Sequence, residues 1–441
     1  MNKIIKLSLI AILTTSTVFA DGDVGADDTV RKKITSVGAA EVLHGDDAGN
    51  FDELFTKGKV SGQLEVLYSG FNEGSSNNPT GADPYSTAIG GQLKFDTGHW
   101  NGFGAGVEFT TVHEIKPISG DNDKGERDVQ TVSADGAYIE LSQAYLEYIN
   151  NGFTIRGGRQ LIDTPLADSD DIRIVNNTFE AYTAMYEVDD ITLMVGYLDR
   201  WQGSDSGLDN DEAWIDSGAD DGTYFAGADY SGELFHVAAW YYDIAGEAGD
   251  QTGNKSVYID ATLHAIKGDD LTLDISAQYL NQREEDNSGI EADLYGTMLE
   301  VGISDLALMA AYNKRDADDE KTSFSGFGGG TLFTNMDNMI TDAIIGGDVD
   351  AYVIGASYTI DDVTMGYAYS RFESDAIDAG VFTRTKEDIV EHNIGAEYTA
   401  SDNLTFFAIV TIGDDKENTG SNAINNSGDY THVRISASYN F

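Results

Sequence analysis

Seven histidines, at positions 44, 99, 113, 236, 264, 392 and 432, and 76 aspartates and glutamates are the groups in this 441-residue chain best suited to chemistry. The histidines lack the close, regular spacing of a metal centre. No Ser-His or acid-His constellation stands out to make a nucleophile or an activated water beside an oriented base. His236 falls on an otherwise apolar strand phase, which predicts a packed or interfacial side chain. With no cysteine, thiolate chemistry and disulfides are excluded. Asp121-Asn122-Asp123-Lys124-Gly125-Glu126 begins like a calcium loop, but nothing completes the ligand pattern. Gly326-Phe327-Gly328-Gly329-Gly330 lacks the Lys-Ser/Thr of a phosphate cradle and reads as a mobile outer loop. Neither a metal nor a cofactor is implied. What remains is a set of charges at alternating positions: basic Lys94, Arg156, Arg200 and Arg434, and acidic Glu65, Glu108, Glu147 and Asp274. Their chemistry is to attract or repel ions without making or breaking bonds.

The elements carrying these charges have period two. In KVSGQLEVLYSGF, Val60, Leu64, Val66 and Tyr68 share one side while Ser61, Gln63, Glu65 and Ser69 share the other. Such alternation gives a strand one apolar and one polar face. Eighteen segments of this kind follow one another from Lys59, most of a length that crosses a bilayer when tilted. Eight short turns, such as INNG at 149–152 and TASDN at 399–403, alternate with nine longer polar loops. That is the signature of an antiparallel transmembrane β-barrel with turns on one rim and loops on the other. On this reading Arg371, in phase with Val363, Met365 and Tyr367, sits at the outer interface.

The address agrees. Lys3 and Lys6 precede an apolar run from Leu7 to Phe19, and Val18 and Ala20 flank a cleavage point, so residues 1–20 read as a signal peptide. Residues 21–58 lack alternation and read as a periplasmic lead-in, with a short helix near Glu53, before a barrel over 59–441. In the last strand Val433, Ile435, Tyr439 and Phe441 share the apolar side, which resembles the C-terminal signal recognised for outer-membrane insertion. The formal charge of −50 repels nucleic acid and keeps exposed loops solvated. A β-solenoid adhesin would show a short repeat, and none is visible.

The most specific stretch is GRQLIDTPLADSDDIRIVNNTFEA at 158–181, containing Arg159, Gln160, Asp163, Thr164, Pro165, Leu166, Ser169, Asp170, Asp171, Arg173 and Asn177-Thr178-Phe179-Glu180. It resembles the segment that marks the OprD family of outer-membrane porins, and LFTKGKVSGQLEVLY at 54–68 resembles the start of that family's first strand. The resemblance implies an all-β, 18-stranded barrel in a Gram-negative outer membrane with its third outer loop folded inward. It implies passage of small hydrophilic solutes through an eyelet to which Arg159, Asp163, Asp170, Asp171 and Arg173 contribute. Asp163, Asp170, Asp171 and Arg173 can equally be scaffolding that holds the loop's shape. The family's basic track is thin here, with 26 lysines and arginines in all, so the inward acids predict a mild preference for cations. The implied partners are outer-membrane lipid, lipopolysaccharide and the solutes, for a monomer or a homotrimer. The rival readings are a barrel-borne lipase or protease and a trimeric general porin.

Overall fold

The computed structural model describes residues 47–73, 83–169, 173–208, 214–219, 221–247, 252–268, 270–317, 321–328, 330–338, 348–375, 377–378, 383–384, 387–415 and 429–441. The signal-peptide reading and most of the lead-in lie outside them.

Eighteen described strands form the wall: β1 (Lys59–Glu73), β2 (Tyr85–Asp96), β3 (Phe103–Glu114), β4 (Ala137–Asn150), β5 (Phe153–Gln160), β6 (Thr178–Val188), β7 (Ile191–Gln202), β8 (Thr223–Ser231) and β9 (Phe235–Ile244) make the first half. The second half is β10 (Asn254–Lys267), β11 (Leu271–Glu284), β12 (Ala292–Ile303), β13 (Leu306–Ala317), β14 (Val349–Ile360), β15 (Val363–Ser374), β16 (Glu387–Ser401), β17 (Leu404–Asp415) and β18 (Tyr430–Asn440). Each pairs antiparallel with its neighbour in sequence, and β18 returns to β1 with Tyr68 opposite Ile435. Phe441 and Gly62 exchange both backbone hydrogen bonds, each 3.0 Å, across that seam. Closure satisfies the backbone groups that an open edge would leave bare in hydrocarbon. Ile215–Asp216 adds a two-residue extension beside the end of β7.

Eight short connections and nine long ones alternate around the ring, as the sequence arithmetic requires. Between β4 and β5 the link is Asn151-Gly152, both at positive φ (49° and 78°), the conformation of a two-residue hairpin turn that suits Asn-Gly. The outer face is apolar: Leu64, Leu146, Val195, Ile354 and Ile394 are all more than half exposed. Val433, Ile435, Tyr439 and Phe441 lie on the outer phase of β18 or just beyond it, as expected. Arg371 also lies on the outer phase, held by Asp388 at 2.7 Å and Glu373 at 2.8 Å. The described lead-in docks on the first turn, with Ala48 donating to the His99 carbonyl and Phe51 meeting Trp100 edge-on; a one-turn helix, α1 (Glu53–Thr56), precedes β1.

Candidate functional site

The interior has two kinds of wall. On one side, inward positions of β1–β5 are polar and cross-linked toward the turns, while nearer the loops Leu67, Ala88, Val112 and Tyr138 form an apolar patch under Ile174, Val175 and Leu208. Arg156 on β5 meets Glu147 on β4 at 2.9 Å and lies 4.2 Å over the Tyr145 ring. The other oxygen of Glu147 takes His99 at 3.0 Å. Tyr145 donates to Asp96 at 2.6 Å, and Asp96 holds Lys94 at 3.4 Å. Glu108 accepts from Ser142 at 2.8 Å and from Gln143 at 2.9 Å, where a bulge in β4 opposite Glu108 turns both side chains toward it. Glu65 is buried on the inner phase of β1. Ion pairs hold Arg156, Glu147, Lys94 and Asp96, and neutral donors hold Glu108, because an unpaired charge at such depth is costly.

On the other side two apolar clusters sit among polar inward positions such as Asn254, Gln278, Gln282, Asn313 and Arg315. Phe179, Leu198, Trp201, Phe225, Trp240, Tyr242, Tyr258, Leu280 and Leu294 form one buried cluster; Met298, Met309, Val349, Val353, Phe372 and Ile389 belong to a second. Two polar pairs interrupt this half near its turn-side rim: His264 on Asp274 at 2.9 Å, and His236 between Asp229 at 3.3 Å and Asp260 at 3.1 Å. His236 is packed, as its apolar phase predicts, and its two carboxylate partners come from neighbouring strands.

Loops cover the apolar half. In loop 3, between β5 and β6, Thr164 and Ala167 exchange backbone hydrogen bonds of 2.7 and 3.2 Å around Pro165-Leu166. The fixed φ of proline suits this tight turn. Leu166 is fully buried and its N–H reaches the Tyr242 hydroxyl at 3.3 Å. Further along, the Ile174 carbonyl accepts from Gln92 on the inner phase of β2. Asp163 accepts from the Ser169 N–H at 3.2 Å and from its hydroxyl, so its contacts are internal to the loop. Arg173 reaches Asp205 of loop 4 at 3.4 Å, and Asn177 joins the same carboxylate at 2.8 Å. Asp170 and Asp171 lie outside the described residues.

Loop 7, between β13 and β14, corrects the reading of Gly326–Gly330 as a mobile outer loop. Phe327 is buried and bridges loop 3 through backbone bonds to Leu166 at 2.9 Å and Asp168 at 3.1 Å. Gly326 and Gly328 sit at φ of 104° and 77°, which glycine adopts without strain and which lets the two loops approach this closely. Phe333 donates to Gln278 at 2.8 Å, and Thr334 to Asn313 at 3.1 Å. Asp337 closes the set: it takes Arg434 of β18, the Thr411 hydroxyl at 2.6 Å and His432 at 3.4 Å. Burial alone raises the Asp337 carboxyl, but Arg434 and His432 outweigh it and hold it below the usual carboxylate range. The sequence signal for this loop was its run of apolar residues, Leu332, Phe333 and Met336, inside an otherwise polar connection.

Lys94, Arg156, Arg434, Glu65, Glu108, Glu147 and Asp274 thus fall on inner phases, as expected from alternation. Arg200 and Arg159 do not. A register shift at Glu180/Ala181 makes Arg200 rather than Asp199 the partner of Glu180; Trp201 then points inward and Arg200 outward. Arg159, between inward Gln160 and outward Gly157, shares that outer row opposite Glu180. Arg200 meets Glu180 at 2.9 Å and Arg159 meets it at 3.7 Å, while Trp214 lies against both guanidiniums.

Residues 55–342 match the outer membrane porin, OprD family. No curated protein matches the chain. Solved structures share the fold: Acinetobacter baumannii OccAB3 has a TM-score of 0.72 at 14% identity, covering 88% of this chain and 100% of its own. Acinetobacter baumannii OccAB2 gives 0.70 at 16%, covering 88% and 99%. Pseudomonas aeruginosa OpdK, solved with vanillate, gives 0.67 at 15%, covering 87% and 98%. With that match over most of its length, and a closed ring of strands around a charged interior, the chain belongs to the OprD family of outer-membrane porins and forms a channel for small solutes.

Proposed function

We propose that this porin is a cation-preferring diffusion channel whose path runs along the polar wall of β1–β5 and β18, bounded opposite by loops 3 and 7. The observation that carries this reading is the balance of inward charge. Among the described residues, inward strand positions hold Glu65, Asp96, Glu108, Glu147, Asp229, Asp260 and Asp274 against Lys94, Arg156, Arg315 and Arg434. Arg156, Lys94 and Arg434 each face a carboxylate already, so the field left for a passing solute is negative. Vanillate, found with OpdK, is a carboxylate, and this wall disfavours such a solute. Selectivity arises from the width left between the loops and the wall, together with that field; transport runs down the solute gradient and uses no cofactor. β18 closes on β1 within one chain, so each copy makes its own pore whether it stands alone or in a trimer.

The test is the reversal potential of the purified protein in a planar bilayer under a salt gradient. Discrete steps with a cation-selective potential are expected. An anion-selective potential overturns the reading and makes carboxylates the favoured solutes, and silence reopens a barrel-borne enzyme.

A further inference from the structure

The two arginines displaced from the lumen stand at the top of an ordered stack on the lipid-facing side. Cross-strand register places Arg159, Glu180 and Arg200 in one row of β5–β7 at their loop ends. The next outward row down, two positions along β6 and three along β7 because of the bulge at Asp199, is Tyr182 and Tyr197, continued by Tyr224 on β8. Two further down it is Ile155, Ala184, Val195 and Ala226. Small side chains between larger ones leave a hollow there, and these two rows line an apolar groove of about 510 Å³. Tyr182 and Tyr224 are 63% and 60% exposed, standing out as its walls.

From this sequence of rows we infer a binding site for one phosphorylated glycolipid of the outer leaflet, lipopolysaccharide in this membrane. Its acyl chain occupies the groove, its sugar portion passes the tyrosines, and a phosphate meets Arg159 and Arg200. The order matches the bilayer: charge at the headgroups, tyrosine at the interface, aliphatics in hydrocarbon. The loop ends of β5–β7 face the outer leaflet, which selects lipopolysaccharide over inner-leaflet phospholipid. Glu180 and Asp199, the latter 4.0 Å from Arg200, offset the positive charge, so recognition rests on donors. Each guanidinium has five N–H donors. Arg159 gives one hydrogen bond, to the Leu141 carbonyl at 3.2 Å, and Arg200 gives two, both to Glu180. Trp214 fixes the two planes, at 4.6 and 5.4 Å, and guanidinium suits bidentate phosphate binding.

The experiment titrates the full-length protein in detergent with bisphosphorylated lipid A, with its dephosphorylated form and with inorganic phosphate, reading bound adducts by native mass spectrometry. Bisphosphorylated lipid A is expected to bind tightest. The double variant Arg159→Gln/Arg200→Gln should bind it about tenfold more weakly, and Ala226→Phe, which fills the groove, should weaken both lipids. Heat-modifiable gel mobility confirms that each variant is a folded barrel. Equal binding by the double variant, or equal affinity for both lipids, overturns the headgroup site. Unchanged binding by Ala226→Phe overturns the acyl groove. The reversal potential of the double variant should match the parent; a shift with binding unchanged returns the arginines to the lumen. Failure of this site leaves the cation-selective reading standing, since that reading uses neither arginine.

Discussion

The two halves of the barrel wall are built from the same alternating strands, yet their inner faces do opposite work. Along β1–β5, toward the turns, the inward residues are acids, bases and amides held by one another, as in the chain Arg156–Glu147–His99. Along β6–β15 they include large aromatic and aliphatic clusters, and Leu166, Phe327 and Leu332 from two loops complete the burial of one of them. An apolar inner face left open to water would be unfavourable by about 25 cal/mol per Å². Covering it with loops removes that cost and narrows the lumen in the same act. On the polar half, Ile174 and Val175 of loop 3 and Leu208 of loop 4 pack on Leu67, Ala88, Val112 and Tyr138, while the charged groups nearer the turns hold one another. On the proposed reading, selectivity and constriction come from different sides of one ring.

The largest effect should come from cutting the tie between the halves. Arg434→Gln leaves Asp337 buried without its guanidinium, and a loss of about 3–5 kcal/mol of loop docking follows from breaking a buried pair. Protease nicking in loop 7 and a larger, noisier conductance should report it. Because Asp337 has a depressed pKa, its contribution is present above the ordinary carboxylate range and is lost only as pH falls below that range toward the folded value. Nicking of the parent protein should therefore stay flat from pH 7 to pH 5. Next, Phe327→Ala should cost about 3–5 kcal/mol of the contact between loops 3 and 7, raising conductance without changing which ion is preferred. Ile435→Arg, on the lipid face, should cost about 2–4 kcal/mol of insertion near the midplane, measured by urea titration in vesicles, and should leave selectivity alone. Arg156→Glu also breaks a buried pair, leaving Glu147 beside a second carboxylate at a cost of about 3–5 kcal/mol; in the barrels that fold it should move the reversal potential further toward cations. An unmoved potential would take Arg156 off the solute's path.

Much of this was legible in the sequence, for a physical reason: a strand between lipid and lumen must alternate, so Glu65, Glu108, Lys94 and Arg434 declare their side. The seams where alternation is interrupted did not declare themselves. Arg200 changes face through one extra residue, Asp199, and nothing in the local pattern marks the bulge. Arg159 came by resemblance to a loop motif, whereas the strand runs on through Gln160 and carries it outward. Loop 7 was misread because glycines beside phenylalanine look mobile in isolation; the partner that orders them, loop 3, lies more than 150 positions earlier in the chain.

One seam of the ring differs from the rest in how it must be made. Every other strand finds its partner next door in the chain, but the hydrogen bond between Ser69 and His432 joins residues 363 positions apart. Closing so long a span carries the largest entropy of any contact in the wall, and such non-local pairings slow folding. The barrel therefore has a natural last step, and until the C-terminal strand arrives β1 presents a bare edge able to recruit any strand nearby. Insertion machinery that holds the C-terminal strand has in hand the one element whose early escape would leave the ring open.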